Sequence, residues 1–153
     1  IMKAVVMSDS HKNFNSIMRI VEKEAPFDLL IHAGDVQQDV DDIRAVWPDL
    51  AVEAVVGNND FSVFSDPYQK VFFFGGKKIF LTHGHQYHVK LSLRDLEREA
   101  KSKGADICIF GHTHRAYMQE HQGIFMINPG STWNSYAVIE IADGKIRANI
   151  REN

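Results

Sequence analysis

Lys3-Ala4-Val5-Val6-Met7-Ser8-Asp9-Ser10-His11 begins as a short apolar run and stops at a turn bearing an acid and an imidazole. The run reads as a central strand. Helical spacing follows at Phe14, Ile17, Met18 and Val21, with Asn13 as a candidate cap and Pro26 beyond the end. Leu29-Leu30-Ile31 reads as a second strand, ending at His32-Ala33-Gly34-Asp35. Val40, Ile43 and Val46-Trp47 mark one face of a short helix that stops before Pro48. Ala51 to Val56 gives a third strand, running into Gly57-Asn58-Asn59-Asp60. Such strand–helix alternation implies βαβ units on a parallel sheet. Right-handed crossovers put the strands' carboxyl ends on one edge, and sites in such sheets lie outside that edge. Asp9, Asp35 and Asn58 all fall there.

Farther on, 61–68 carries turn signals and reads as a loop. Val71 to Phe74, Gly75-Gly76 and Ile79 to Leu81 read as a β-hairpin that ends at Thr82-His83-Gly84-His85. Ser92-x-x-Asp95 has the form of a capping box, Leu93, Leu96 and Ala100 give a helix face, and Gly104 a stop. Ile107-Cys108-Ile109-Phe110 reads as a buried strand leading into Gly111-His112-Thr113-His114. In a continuing strand two side chains this far apart point the same way; in a loop the two imidazoles can diverge toward different centres. The remainder reads as β-strands with turns at Gln122-Gly123, Asn128-Pro129-Gly130-Ser131 and Asp143-Gly144, and is expected to be antiparallel. No repeat or linker interrupts a single domain over 1–153.

The 153 residues suffice for a sizeable core, and 44% hydrophobic with 24% charged residues is an ordinary globular composition. A net charge of -3 argues against non-specific coating of nucleic acid. The apolar runs are too short to span a bilayer, and no charged-then-apolar leader is visible, so Met2 is expected as the native start and the cytoplasm as the compartment. A lone Cys108 in an apolar strand reads as an inert core thiol. Aromatics between Phe61 and Phe74 raise the expectation of a homo-oligomer.

Seven polar residues gather at predicted strand ends: Asp9, His11, Asp35, Asn58, His83, His112 and His114. Carboxylate with imidazole suits borderline divalent metals, and the lack of thiolates argues against a structural zinc knot. Seven ligands exceed one site but fit two sites sharing a carboxylate. Taken singly, Asp9 and Asp35 could be helix caps and Asn58 a turn residue. Taken together, the coincidence favours metal. His32 is a candidate for orienting a ligand, and His85 a candidate for facing substrate; His88 and His121 read as solvated.

In this order, D-x-H, G-D, G-N-x-D, H-G-H and G-H-T-H resemble the calcineurin-like metallophosphoesterases, above all the small single-domain bacterial and archaeal phosphodiesterases. The resemblance spans Asp9 to His114. It implies an α/β fold, a four-layer α-β-β-α sandwich with two mixed β-sheets. It implies a first metal held by Asp9, His11, Asp35 and His114, and a second by Asp35, Asn58, His83 and His112, with Asp35 as the bridge. It further implies attack by a hydroxide shared between two divalent ions, manganese first, with nickel, iron, cobalt or zinc as alternatives. Asp35, Asn58, His83, Asn59 and His85 are then the residues nearest the chemistry. One departure stands out: much of the family has a histidine, regarded as the leaving-group acid, where this chain has Asn59. The expected substrate is a small phosphodiester, with nucleic acid open as a substrate and no membrane partner. The alternatives are a phosphomonoesterase on the same site, or a non-catalytic scaffold like the retromer subunit of this fold.

Overall fold

In a computed structural model, which describes residues 1–58, 60 and 66–153, two five-stranded sheets stack face to face. The chain runs β1 (Met2–Met7), α1 (Phe14–Glu24), β2 (Leu29–His32), α2 (Gln37–Val46), β3 (Val52–Ala54), β4 (Gln69–Phe74), β5 (Lys77–Thr82), α3 (Arg94–Ser102), β6 (Ile107–Ile109), β7 (Tyr117–His121), β8 (Ile124–Asn128), β9 (Ser135–Ala142) and β10 (Lys145–Glu152). One sheet has the order β10-β9-β1-β2-β3, the other β4-β5-β6-β8-β7. Both are mixed: β1 pairs parallel with β2 and antiparallel with β9, and β6 pairs parallel with β5 and β8 while β4 and β7 join β5 and β8 antiparallel.

The apolar runs lack polar alternation because the central strands are covered on both faces. Along β1, Ala4 and Val6 enter the core between the sheets, while Val5 and Met7 pack beneath α1 and α2 with Ile17, Ile20 and Ile43. β5 and β6 repeat the pattern on the other side. Ile79, Leu81, Ile107 and Ile109 face the first sheet, and Phe80 and Cys108 lie beneath α3 with Leu96 and Ala100. The result is the four-layer α-β-β-α sandwich. Cys108 is fully buried, which pushes its thiol pKa up and keeps it inert.

Some local expectations change. The third strand spans only Val52–Ala54. α3 begins after Leu93 with no side-chain cap, so Ser92 caps nothing. Val46 is exposed and does not share the buried face of Val40 and Ile43. The C-terminal strands are not uniformly antiparallel, because β8 joins β6 in parallel. The expected loop at 61–68 falls largely outside the described residues. Among the described residues, no helix is long and apolar enough to cross a membrane.

Candidate metal centre

Each strand end delivers its ligands through a tight backbone turn. β1 leads to Asp9 and His11, β2 to Asp35, β3 to Asn58, β5 to His83, and β6 to His112 and His114. Five of these residues have left-handed backbones: Asp9 (φ 53), His11 (φ 45), Asp35 (φ 33), His112 (φ 71) and His114 (φ 62). Non-glycine residues rarely adopt this region, and clusters of them mark functional sites. Hydrogen bonds hold the turns, with Asp9 N donating to Gly34 O and Ser10 N to Asp35 O, both at 2.8 Å.

Asp9 lies at the centre and is fully buried. Its Oδ2 accepts from Ser8 Oγ at 2.7 Å and from His112 N at 3.1 Å. Its Oδ1 is buried without a hydrogen-bond partner among the described residues. That oxygen lies 3.3, 3.7 and 3.8 Å from Nε2 of His114, His83 and His11. Asp35 Oδ2 is 3.4 Å from His83 Nε2. Two ligand sets result, Asp9–His11–His114 and Asp9–Asp35–His83, each with its donor atoms within 4.8 Å of one another. Asn58 Oδ1 joins the second, 3.0 Å from His83 Nε2 and 3.1 Å from His112 Nδ1. The two imidazoles of the Gly111–His114 turn thus part company: His112 goes to one set and His114 to the other.

The donor atoms fit a divalent cation. His83 Nδ1 is 2.7 Å from the Ala33 carbonyl, which can only accept, so that nitrogen carries the proton and Nε2 faces the site. Burial works against charge on His83, but Asp35 and Asp9 outweigh it and raise its pKa. The nitrogen that would attract a proton is the one a metal ion would take. His112 is pushed down to about 4 by burial and by the neighbouring His83 and Lys90, leaving a neutral imidazole at neutral pH. Nε2 atoms of His11 and His114 lie 3.3 Å apart, so at most one can donate to the other. An orphaned carboxylate oxygen, a carboxamide oxygen and converging ring nitrogens together make a socket for a borderline divalent ion.

Two glycines make room for this socket. A Cβ on Gly57 would fall on Asp35 Oδ1, and one on Gly111 would collide with Ser8 Oγ and Asp9 Oδ2. Neither acid caps a helix: Asn13 caps α1, accepting from Ser16 N at 3.3 Å, and α2 follows Val36 with no side-chain cap.

His85 stands beside both sets, with ring centroids 5.6 Å from His83 and 6.1 Å from His112. Its Nδ1 is buried without a partner among the described residues, and burial, then His83, lowers its pKa. The hydrogen-bond partners of His32 among the described residues are Gly34 and Ser10. His32 accepts from Gly34 N at Nδ1 (3.1 Å) and lies 3.0 Å from Ser10 Oγ through Nε2, and burial lowers its pKa. Ser10 in turn donates to Asp39 at 2.5 Å, so a buried Asp39–Ser10–His32 chain braces the first two ligand turns. Asn59 lies outside the described residues.

Some supporting residues gave no signal as such. Asp60 accepts from Gln37 N (2.6 Å) and Gly57 N (2.7 Å), tying the Asn58 turn to α2. It was visible only as the last letter of G-N-x-D. Asn128 Nδ2 donates to Gly111 O and Thr113 Oγ1, and Ser131 Oγ to Asp9 O. The Asn128–Ser131 turn therefore buttresses two ligand turns. Asp39 carried no mark in the sequence, since an acid in a first helical turn is ordinarily solvated.

A four-layer α/β sandwich with carboxylates and imidazoles converging at its strand ends defines the metallophosphoesterase class. The chain belongs to the calcineurin-like phosphoesterase superfamily, whose domain profile matches residues 2–144. A probable metallophosphoesterase of Bacillus subtilis, YsnB, is 38% identical over 133 residues, covering 85% of this chain and 75% of that protein. A predicted phosphoesterase from Streptococcus pneumoniae superimposes with a TM-score of 0.82 at 27% identity, over 99% of this chain and 89% of that one. Vps29 from Entamoeba histolytica, solved as a single mutant, superimposes with a TM-score of 0.78 at 21% identity, over 99% of each chain, a likeness of fold. Membership supports a metal-dependent phosphoesterase.

Proposed function

We propose that this chain is a dinuclear metal-dependent phosphodiesterase. The observation that carries the reading is the pair of overlapping ligand sets meeting at the buried, unpartnered Asp9 Oδ1. Asp9, His11, Asp35 and His114 would hold one divalent ion, and Asp35, Asn58, His83 and His112 the other. Manganese is the first candidate, with nickel, iron, cobalt or zinc as alternatives. When bound, such a pair supplies a water acidic enough to act as nucleophile near neutral pH and positive charge against the phosphoryl oxygens. The residues' own part is positional. The Ala33 carbonyl fixes the His83 tautomer, Asn58 keeps His83 and His112 in register, and the Asp39–Ser10–His32 chain holds the Asp9 and Asp35 turns. His85 sits where it can meet a leaving group, and Asn59 offers hydrogen bonds but no proton. A small diester is the expected substrate, with nucleic acid open, and a homo-oligomer is the expected assembly.

The test is elemental analysis after loading with manganese, paired with hydrolysis of bis(p-nitrophenyl) phosphate and p-nitrophenyl phosphate. About two ions per chain and faster diester turnover are expected. Two ions with faster monoester turnover would make it a phosphomonoesterase. The Vps29 likeness favours a second reading, a scaffold that binds protein, which metal loading without turnover of either ester would support.

A further inference from the structure

The turn that carries His112 and His114 has a second side. Thr113, between them, lines a cleft of about 560 Å³. Its apolar lining is Leu93 and Tyr117, both partly exposed, over the buried Val89 and Phe110, and its polar lining includes Lys90 and Arg115. The Phe110 and Tyr117 rings lie 6.3 Å apart at 55°, with Tyr117 only half-buried. Lys90 and Arg115 are exposed and make no ion pair among the described residues. Thr113 does not float: Asn128 Nδ2 donates to its hydroxyl at 2.9 Å and Arg115 N at 3.2 Å, so the shared wall is rigid.

An apolar, aromatic-edged cleft of this volume is the size of a small-molecule site. Base-like rings stack on an accessible aromatic side chain such as Tyr117, and cations beside it recognise phosphate. A phosphodiester has two ester arms. Were its phosphorus at the ligand sets, the Thr113 side of the His112–His114 turn would be open to one of those arms.

We propose that the cleft is the subsite for one substrate arm, and that it takes a ring-bearing arm carrying a second phosphate, a nucleotide-type diester with a further phosphate held by Lys90 and Arg115. The proposal rests on the phosphodiesterase reading for the orientation of the substrate. It has its own readout in binding.

Calorimetry on the manganese-loaded full chain would compare thymidine 3′,5′-bisphosphate, thymidine 5′-monophosphate and methyl phosphate. The bisphosphate should bind about tenfold or more tighter than the monophosphate, on the scale of a charge-assisted contact. Thymidine 5′-monophosphate should bind tighter than methyl phosphate. Lys90→Gln/Arg115→Gln should bring the bisphosphate-to-monophosphate ratio close to one. Tyr117→Ala should weaken both nucleotides against methyl phosphate and leave their ratio in place. Equal binding of the two nucleotides by the wild type, or a ratio that survives the double substitution, overturns the proposal. Absence of diester turnover with a preserved binding ratio would sink the phosphodiesterase reading alone. Turnover without any bisphosphate preference would sink this one alone.

Discussion

On the dinuclear reading, Asp9 and Asp35 would share the holding of two ions, and substitution separates their shares. Asp9 Oδ1 is common to both candidate sets, and Asp35 Oδ2 lies 3.4 Å from His83 Nε2. With Asp35 as the bridge, Asp35→Ala should take the metal content from about two ions to nearly none, with turnover falling by about 10³-fold or more, whereas Asp9→Asn should keep about one ion. His11→Ala should keep about one ion, because it belongs to one set only. Elemental analysis reads all three, and an Asp35→Ala protein that still holds one ion would move the bridge to Asp9. A second residue-scale prediction concerns proton delivery. A positioned general acid is worth roughly 10²- to 10⁴-fold when the leaving group needs a proton. Asn59 has none to give, so activated aryl diesters should turn over well and alkyl diesters weakly. Asn59→His should narrow that gap in paired rate measurements. If the wild type handles alkyl diesters well and His85→Ala abolishes this, His85 is the acid. That the seven candidate residues gather at strand ends was legible because each follows a strand-like run. Which carboxylate lies at the centre was not, since chain order carries no distances. The Asp39 brace was hidden for a related reason: burial of a helical acid depends on what packs over it.

Elements are locked together at Glu24, in the last turn of α1. Its carboxylate accepts from Tyr136 of β9 at 2.5 Å and from Arg151 of β10 at 2.7 and 2.8 Å, and lies 3.2 Å from Lys3 of β1. Burial by itself would raise its pKa. The hydrogen bonds from Tyr136, Arg151 and Lys3 outweigh it and leave the group below its ordinary 4.5. A folded-state pKa below the unfolded one gives stability that is present above about pH 4.5 and lost as pH falls through the lowered value. Glu24→Gln should therefore cost roughly 1–3 kcal/mol at pH 7 and leave a flatter acid limb below pH 4.5. Urea titrations at pH 7 and pH 3.5 check both, and an unchanged acid limb would assign the loss to packing alone. Strand identity was legible wherever both faces are buried, as in β1 and β6, because the apolar run is then unbroken. The hairpin of β7 and β8 was legible too, from Gln122-Gly123. Its attachment to β6 through β8 was not, because pairing between distant strands leaves no local mark. The start of α3 was misjudged because Ser92 reads like a cap, while the chain delays the helix to Arg94.

For the whole molecule, the four-layer order came from the resemblance to the metallophosphoesterases, while the apolar runs marked only the strands, and the outer rim lay beyond both. β4 is an edge strand of the second sheet, and its two faces differ. Phe74 enters the core between the sheets with Phe72 packed against it, while Val71 and Phe73 are 43% and 70% exposed. Val71 pairs with Phe80 and Phe73 with Lys78 across β5. Phe80 is buried in the cluster beneath α3, whereas Val71 and Phe73 are left uncovered. The aromatic cluster that suggested association thus splits, part core and part surface, with Phe61 and Phe64 outside the described residues. An edge strand with exposed apolar residues is a template for pairing with another chain, and monomers seldom leave one open. A dimer through the β4 edge is expected, and Phe73→Glu should dissociate it without unfolding the chain, since that side chain is mostly in solvent. Sedimentation of wild type and variant across a concentration series checks this. A wild-type mass of one 17.4 kDa chain at the highest concentration would rule the dimer out, and a dimer that survives Phe73→Glu would place the contact on another face.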